Sequence, residues 1–175
     1  LFESSIGILW IGTVEGLNAF DPQREIFTRY VNDPGVPGSL PNNRVSDIVE
    51  GADGHIWVAT SGGLARLDPA TSQFTPFRHD DHNPDSLTHN EISDLCINEN
   101  GILWVATYGG GLDRLDPGAN EFIHYRHEPN DSGSLGSNLL DSVSCDSAGS
   151  IWVGTWGAGL NRLDDPNGDF YHYPT

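Results

Sequence analysis

Four tryptophans fix the plan of this 175-residue chain: Trp10, Trp57, Trp104 and Trp152 follow one another at intervals of 47, 47 and 48 residues. The same phrase surrounds each: GILWIGTVEGLNAFDP at 7–22, GHIWVATSGGLARLDP at 54–69, GILWVATYGGGLDRLDP at 101–117 and GSIWVGTWGAGLNRLDDP at 149–166. A second phrase follows at a fixed distance: FTRY (27–30), FTPF (74–77), FIHY (122–125) and FYHY (170–173). A third precedes the next Trp: SLPNNRVSDIV (39–49), SLTHNEISDLCI (86–97) and SLGSNLLDSVSC (134–145). Self-similarity at a period of about 40 to 50 residues means a stacked or radial array, in which each unit buries its faces against its neighbours.

Each unit holds four short stretches rich in Ile, Val, Trp, Phe and Tyr, bounded by Gly, Asp, Pro or Asn. In the second unit these are 44–49, 55–60, 63–68 and 74–78. All are too short for helices, and β-branched and aromatic residues dominate them. The second and third are joined by two or three small residues centred on Gly, a hairpin signal. The third and fourth are joined by a Pro-containing turn. Four antiparallel strands per 47-residue unit predict an all-β fold, a β-propeller of about three and three-quarter four-stranded blades forming a partial ring. A β-helix would have shorter coils, and helical repeats are excluded by the strand-like pattern and by 21 glycines. The predicted blades are 1–31, lacking its first strand, then 43–79, 90–127 and 138–175, all in one domain spanning 1–175. The spaced Trp residues are expected to fill the wedges between blades, and Gly54, Gly101 and Gly149 to take turns of positive φ.

Charge narrows the partners. The chain carries 25 acidic residues against 8 basic ones, all Arg and scattered singly, for a formal charge of −17. Nucleic acid and anionic lipid are therefore not expected partners. With 37% apolar residues and five Trp the chain is too hydrophobic for disorder. No apolar run is long enough to span a membrane, and no signal peptide is visible.

The units G-x-[IL]-W-[VI]-[AG]-T, followed by GL-x-R-[LF]-D-P, resemble the two-component regulator propeller family. So does the link S-L-x-x-N-x-[VIL], present as Ser39-Leu40 with Asn43, Ser86-Leu87 with Asn90, and Ser134-Leu135 with Asn138. The resemblance covers essentially the whole chain. It implies the periplasmic or extracellular sensor region of a hybrid histidine-kinase system, binding an oligosaccharide or other small molecule and relaying that event to a kinase outside this segment. A similarity to the Asp-box of sialidase propellers is confined to ADGHIW at 52–57 and is not kept at 147–149.

In a propeller the turn between second and third strands and the link into the first strand share one rim, where functional residues usually lie. At the turn position after Thr the units carry Val14, Ser61, Tyr108 and Trp156. Tyr108 and Trp156 are bulky rings where a turn needs none, and are candidate sugar-stacking residues. His89, Asn90 and Asn138 are further ligand candidates. Because Asn43, Asn90 and Asn138 recur, those amides also suit a structural role, holding their own turns by side-chain-to-backbone bonds. His89 does not recur, since Asn42 and Ser137 match it.

No metal or cofactor is expected. His79 and His127 share one repeat position and His124 and His172 another, so equivalent residues diverge on separate blades and cannot surround one ion. DDPNGD at 164–169 lacks the spaced ligands of a Ca²⁺ loop. Asp47 and Asp94 approach the channel-lining strand and could join a carboxylate ring, but Asp141 is one step out of register. No catalytic elbow or phosphate loop is present. A streptogramin-lyase-like propeller enzyme and a protein-interaction scaffold are the rival functions; the lyase repeats are shorter and lack the S-L-x-x-N link. Cys96 and Cys145 lie five and four residues before Gly101 and Gly149. This opposite phase on neighbouring strands predicts no disulfide between them. The chain is expected to open at a second strand (6–13) and stop after a fourth (170–173), leaving an apolar face at each end. Further blades of a larger propeller, or a second copy, would cover those faces.

Overall fold

The computed structural model describes residues 1–173, which contain sixteen strands and no helix. The first blade holds β1 (Phe2–Glu3), β2 (Leu9–Thr13), β3 (Gly16–Asp21) and β4 (Ile26–Tyr30). The second holds β5 (Val45–Glu50), β6 (Ile56–Thr60), β7 (Gly63–Asp68) and β8 (Gln73–Phe77). The third holds β9 (Ile92–Ile97), β10 (Leu103–Thr107), β11 (Gly111–Leu115) and β12 (Ile123–Tyr125). The fourth holds β13 (Leu140–Cys145), β14 (Ile151–Thr155), β15 (Gly159–Leu163) and β16 (Phe170–Tyr173). Each blade is an antiparallel meander with its strands in sequence order. The first strands of the last three blades stand side by side, β5 against β9 and β9 against β13, so the blades fan out from a shared inner edge in an unclosed propeller ring.

One expectation about the first blade is corrected. It has a first strand, although one of two residues only: Phe2 pairs with Trp10 and Glu3 with Leu9. These pairs match Val49–Trp57 and Glu50–Ile56 in the next blade, so β1 is the outgoing end of a channel strand.

Alternation along each second strand explains why the repeat needs Trp. In β6, Ile56 and Val58 face the first blade while Trp57 and Ala59 face the third. All five residues of β6 and of β10 are buried because both faces are covered. Three apolar clusters result, one per junction, and each receives a Leu from the intervening link: Leu40, Leu87 and Leu135, all fully buried. An aromatic pair closes the outer part of each junction edge-on: Tyr30 with Phe74, Phe77 with Phe122, Tyr125 with Phe170. Trp152 lies on the outward face of the fourth blade, beside Tyr173 and under Arg162. Gly54, Gly101 and Gly149 adopt φ of 79°, 76° and 90°, as the turn before each Trp requires.

The cysteine expectation is overturned. Cys96 and Cys145 form a disulfide, with S–S 2.04 Å and Cα–Cα 5.8 Å. Their phases are opposite, as read from the sequence: Cys96 pairs with Trp104, whereas Cys145 pairs with Ile151, one step beyond Trp152. Consecutive blades, however, meet face to face. A side chain on the far face of the third blade and one on the near face of the fourth therefore point at each other, and both cysteines border the same junction cluster.

Candidate functional site

The rim of the third and fourth blades is organised by a hydrogen-bonded hairpin repeat. Thr107 Oγ1 donates to Gly111 O (2.8 Å) and accepts from the Gly110 amide (3.1 Å), which closes the turn. Thr155 Oγ1 donates likewise to Gly159 O at 2.8 Å. The Tyr108 amide donates to Glu91 O (2.8 Å), and the Gly109 and Gly111 amides donate to Asn138 O (3.0 and 3.1 Å). The turn of one blade is thus bonded to the link that feeds the next. A Cβ on Gly63 would lie 2.5 Å from Phe77 O, so the equivalent turn of the second blade also needs Gly at its closing position.

These bonds bring Tyr108 and Trp156 to one surface through a residue the sequence reading did not single out. Leu139 forms an isolated antiparallel bridge with Tyr108, and its carbonyl accepts the Trp156 amide at 2.9 Å. Tyr108, Leu139 and Trp156 are 41%, 40% and 60% exposed, and this main-chain pairing sets them side by side as an apolar strip on the rim. Leu139 occupies the repeat position of Arg44 and Glu91; an apolar residue replacing charges there was the available signal. His89 borders the strip, with its ring 3.7 Å from where a Cβ on Gly109 would sit. Its Nδ1 accepts the Glu91 amide at 3.1 Å.

Asn90 and Asn138 stand one step behind the strip and brace the links. Asn90 Oδ1 accepts the His79 amide (2.9 Å) and Asn138 Oδ1 the His127 amide (2.7 Å). Asn43 does the same for Asn32 at 2.7 Å, so the recurring amide joins the end of one blade to the start of the next. That bond fixes the orientation of the Asn90 and Asn138 amides.

The channel side carries a second set of carboxylates. Asp47 Oδ2 accepts the Leu95 amide (3.1 Å) and Asp94 Oδ2 the Val143 amide (2.9 Å), each reaching from one inner strand to the next. Ser46 and Ser93 occupy the bulge just before and donate to Ile92 O (2.7 Å) and Leu140 O (2.8 Å). In the fourth blade the two residue types are exchanged, Asp141 at the bulge and Ser142 in the paired position, which is why Asp141 is out of step. Burial, with Asp47 close by, pushes the Asp94 carboxyl up to about 6. Among the described residues no group of three His, Cys, Asp or Glu is placed to hold a metal ion. The segment 164–169 is a turn in which Asp165 Oδ1 accepts the Asn167 amide at 2.9 Å.

Two segments, 39–62 and 86–109, match the family described as Two component regulator propeller. No curated protein sequence matches the chain. Among solved structures it is similar to the extracellular domain of BT3049 of B. thetaiotaomicron, a protein assigned to the hybrid two-component systems. There the TM-score is 0.85 at 25% identity, over 98% of this chain and 24% of that one. It is also similar to streptogramin B lyase (TM-score 0.70, 18% identity, 99% of this chain and 53% of the lyase). A third likeness is to PorZ, a surface component of the type-IX secretion system of Porphyromonas gingivalis (TM-score 0.68, 15% identity, 97% of this chain and 26% of PorZ). At these identities the last two establish the fold alone. The chain spans about a quarter of the BT3049 domain. It is a β-propeller that carries the two-component regulator propeller repeat and is similar to the extracellular domain of a two-component system.

Proposed function

We propose that this chain is a ligand-sensing propeller module of a two-component regulatory system. It binds an extracellular small molecule, an oligosaccharide, on the rim strip of Tyr108, Leu139 and Trp156 beside His89. The observation that carries this reading is the strip itself: two rings and a leucine exposed together where the corresponding turns hold Val14 and Ser61 and the corresponding links Arg44 and Glu91. Flat rings with nearby polar groups suit a sugar, which offers an apolar C–H face and hydroxyls at its edge. Binding would be relayed to a histidine kinase in the same system. The module acts by recognition, with no chemical step assigned to it. The Cys96–Cys145 disulfide supports a place outside the cytoplasm, where such bonds persist.

A scaffold reading is favoured by a different observation. The outward face of the fourth blade exposes Tyr171 and Tyr173, with Arg162 stacked 5.0 Å from the Tyr171 ring and 5.3 Å from the Trp152 ring. That face suits a further blade or another protein.

Calorimetric titration with maltohexaose, cellohexaose and xylohexaose tests the sensing reading. Trp156→Ala is expected to weaken binding about tenfold, the effect of losing one stacking ring, without lowering the melting temperature. Binding unchanged in both Trp156→Ala and Tyr108→Ala would remove the site from this rim. Turnover of a substrate dependent on a divalent cation would establish the enzyme reading instead.

A further inference from the structure

We propose that the link 79–90 is clamped by two imidazolium side chains, His79 and His124, and that the clamp loosens as they lose their protons. Both rings meet oxygen acceptors at both nitrogens. His79 lies 2.8 Å from Leu87 O through Nδ1 and 3.0 Å from Asp81 Oδ1 through Nε2. His124 lies 2.8 Å from Asp113 Oδ1 through Nδ1 and 2.8 Å from Pro84 O through Nε2. A neutral imidazole has one N–H and one lone pair. Either neutral tautomer would therefore set a lone pair against an oxygen, and only the doubly protonated ring donates to both partners.

The surroundings support the charge. Asp113 is fully buried, and its second oxygen accepts both the amide and the hydroxyl of Thr88 at 2.8 Å. Its ion pair with His124 is the counter-charge that a buried carboxylate requires. Thr88 and Pro84 belong to the link, so this one cluster fastens both the middle and the end of the segment. The bond to Asp113 raises the His124 value above that of an ordinary imidazole, and the Leu87 carbonyl, then Asp81, do the same for His79. Arg126, at the end of the fourth strand, opposes protonation of both rings. Besides His79 itself, the exposed charged or titratable groups of the link are Asp80, Asp81, His82 and Asp85, with His89 half-buried near its end, and His82 pairs with Asp80 at 3.4 Å.

The other links lack the carboxylate partners. In the link 32–43, the position of His79 is held by Asn32, whose NH₂ donates to Leu40 O (2.7 Å) and Pro41 O (3.0 Å), and an amide does not titrate. In the next link, His127 donates to Leu135 O at 2.8 Å, and His172 also meets oxygens at both nitrogens, Asn161 Oδ1 (2.8 Å) and Ser132 O (3.1 Å), but neither is a carboxylate. A group whose folded value is raised stabilises the clamp fully below its ordinary value near 6.5, and that stabilisation is lost as the pH rises through the raised value. The link ends at His89, against the Tyr108–Gly109 turn. A pH effect on ligand binding follows from the clamp and rests on the rim reading above.

Long-range ¹⁵N–¹H spectra of the labelled full chain between pH 5.5 and 9 test the clamp directly. His124 is expected to carry protons on both nitrogens at pH 6 and to titrate above an ordinary imidazole. The protection factor of the Thr88 amide should fall with it, by up to about tenfold per pH unit for each proton lost. Asp113→Asn should bring the His124 midpoint down and leave that of His79 in place; if this variant does not fold, the wild-type titration decides alone. A neutral His124 at pH 6, or equal Thr88 protection at pH 6 and pH 9, would overturn the proposal. Maltohexaose affinity at the same two pH values should fall in parallel. Absence of saccharide binding at either pH would count against the rim reading while leaving the spectroscopic result intact.

Discussion

The junction between the first two blades and that between the last two share one outer plan and differ at the inner edge. On the outside both bury a Trp, a link Leu and an edge-on aromatic pair: Trp10, Leu40 and Tyr30–Phe74 in one, Trp104, Leu135 and Tyr125–Phe170 in the other. On the inside, β9 and β13 are joined by the Ser93 hydroxyl, the Asp94 carboxylate and the disulfide. The Ser46 hydroxyl and the Asp47 carboxylate join β5 to β9 in the same way, without a disulfide, and after β1 Ser5 bonds to Glu50 through its amide at 2.6 Å and its hydroxyl at 2.8 Å. Outer packing is therefore the constant of the repeat. The inner edge is where each junction is individually strengthened, by polar groups reaching from one blade to the backbone of the next.

The largest expected effect breaks that inner reinforcement. Replacing Cys96 by Ala removes a cross-link closing 49 residues, worth about 4 kcal/mol in the chain-entropy description. Denaturant melts should show this loss, and hydrogen exchange should show the fourth blade opening before the second. A Cys96→Ala chain as stable as the parent would mean that the outer clusters alone hold the blades.

A smaller effect of opposite sign is expected at Asp94. A carboxyl at about 6 in the fold, against 3.8 as its ordinary value, binds more protons folded than unfolded between those values. Stability should fall as the pH rises from about 4 through 6 and then level off. Asp94→Asn keeps an acceptor for the Val143 amide without the buried charge. It should stabilise the chain by about 1–2 kcal/mol at pH 7.5 and by nothing at pH 4. Destabilisation at pH 7.5 would show that the carboxylate itself, and not its shape, ties the two strands.

The smallest effect concerns the amides that join links to blades. Asn43→Ala, Asn90→Ala and Asn138→Ala each lose one side-chain-to-backbone bond of the same kind, and each should cost about 1 kcal/mol. Thermal melts giving three similar losses would confirm a shared structural role. A loss of saccharide affinity in Asn90→Ala alone, with unchanged stability, would move that residue into the binding site.

Much of this was legible because the repeat is regular. Strand positions, the hairpin at Thr107 and the wedge role of Trp57 and Trp104 follow from period-two alternation and from phrases that return in register. What escaped depended on how one blade faces another. The cysteine phases were read correctly, but opposite phase across two sheets that meet face to face means convergence, and a single-sheet argument separates such residues. Asp113 escaped because its counterparts, Asn18, Ala65 and Asn161, share no charge; Asn161 meets His172 as Asp113 meets His124, but without the ion pair. Leu139 escaped because it lies outside the turn phrase: the link that meets the turn through main-chain bonds lies 31 residues after Tyr108.

The sensing reading rests on one surface, and chemical-shift mapping of the ¹⁵N-labelled chain during a maltohexaose, cellohexaose or xylohexaose titration tests it most directly. The predicted result is a saturable set of shifts confined to the Trp156 indole and the amides of Tyr108, His89 and Leu139, with the turns at Val14 and Ser61 unmoved. Saturable shifts centred on the channel or on the outward face of the fourth blade, with the Trp156 indole unchanged, would contradict it.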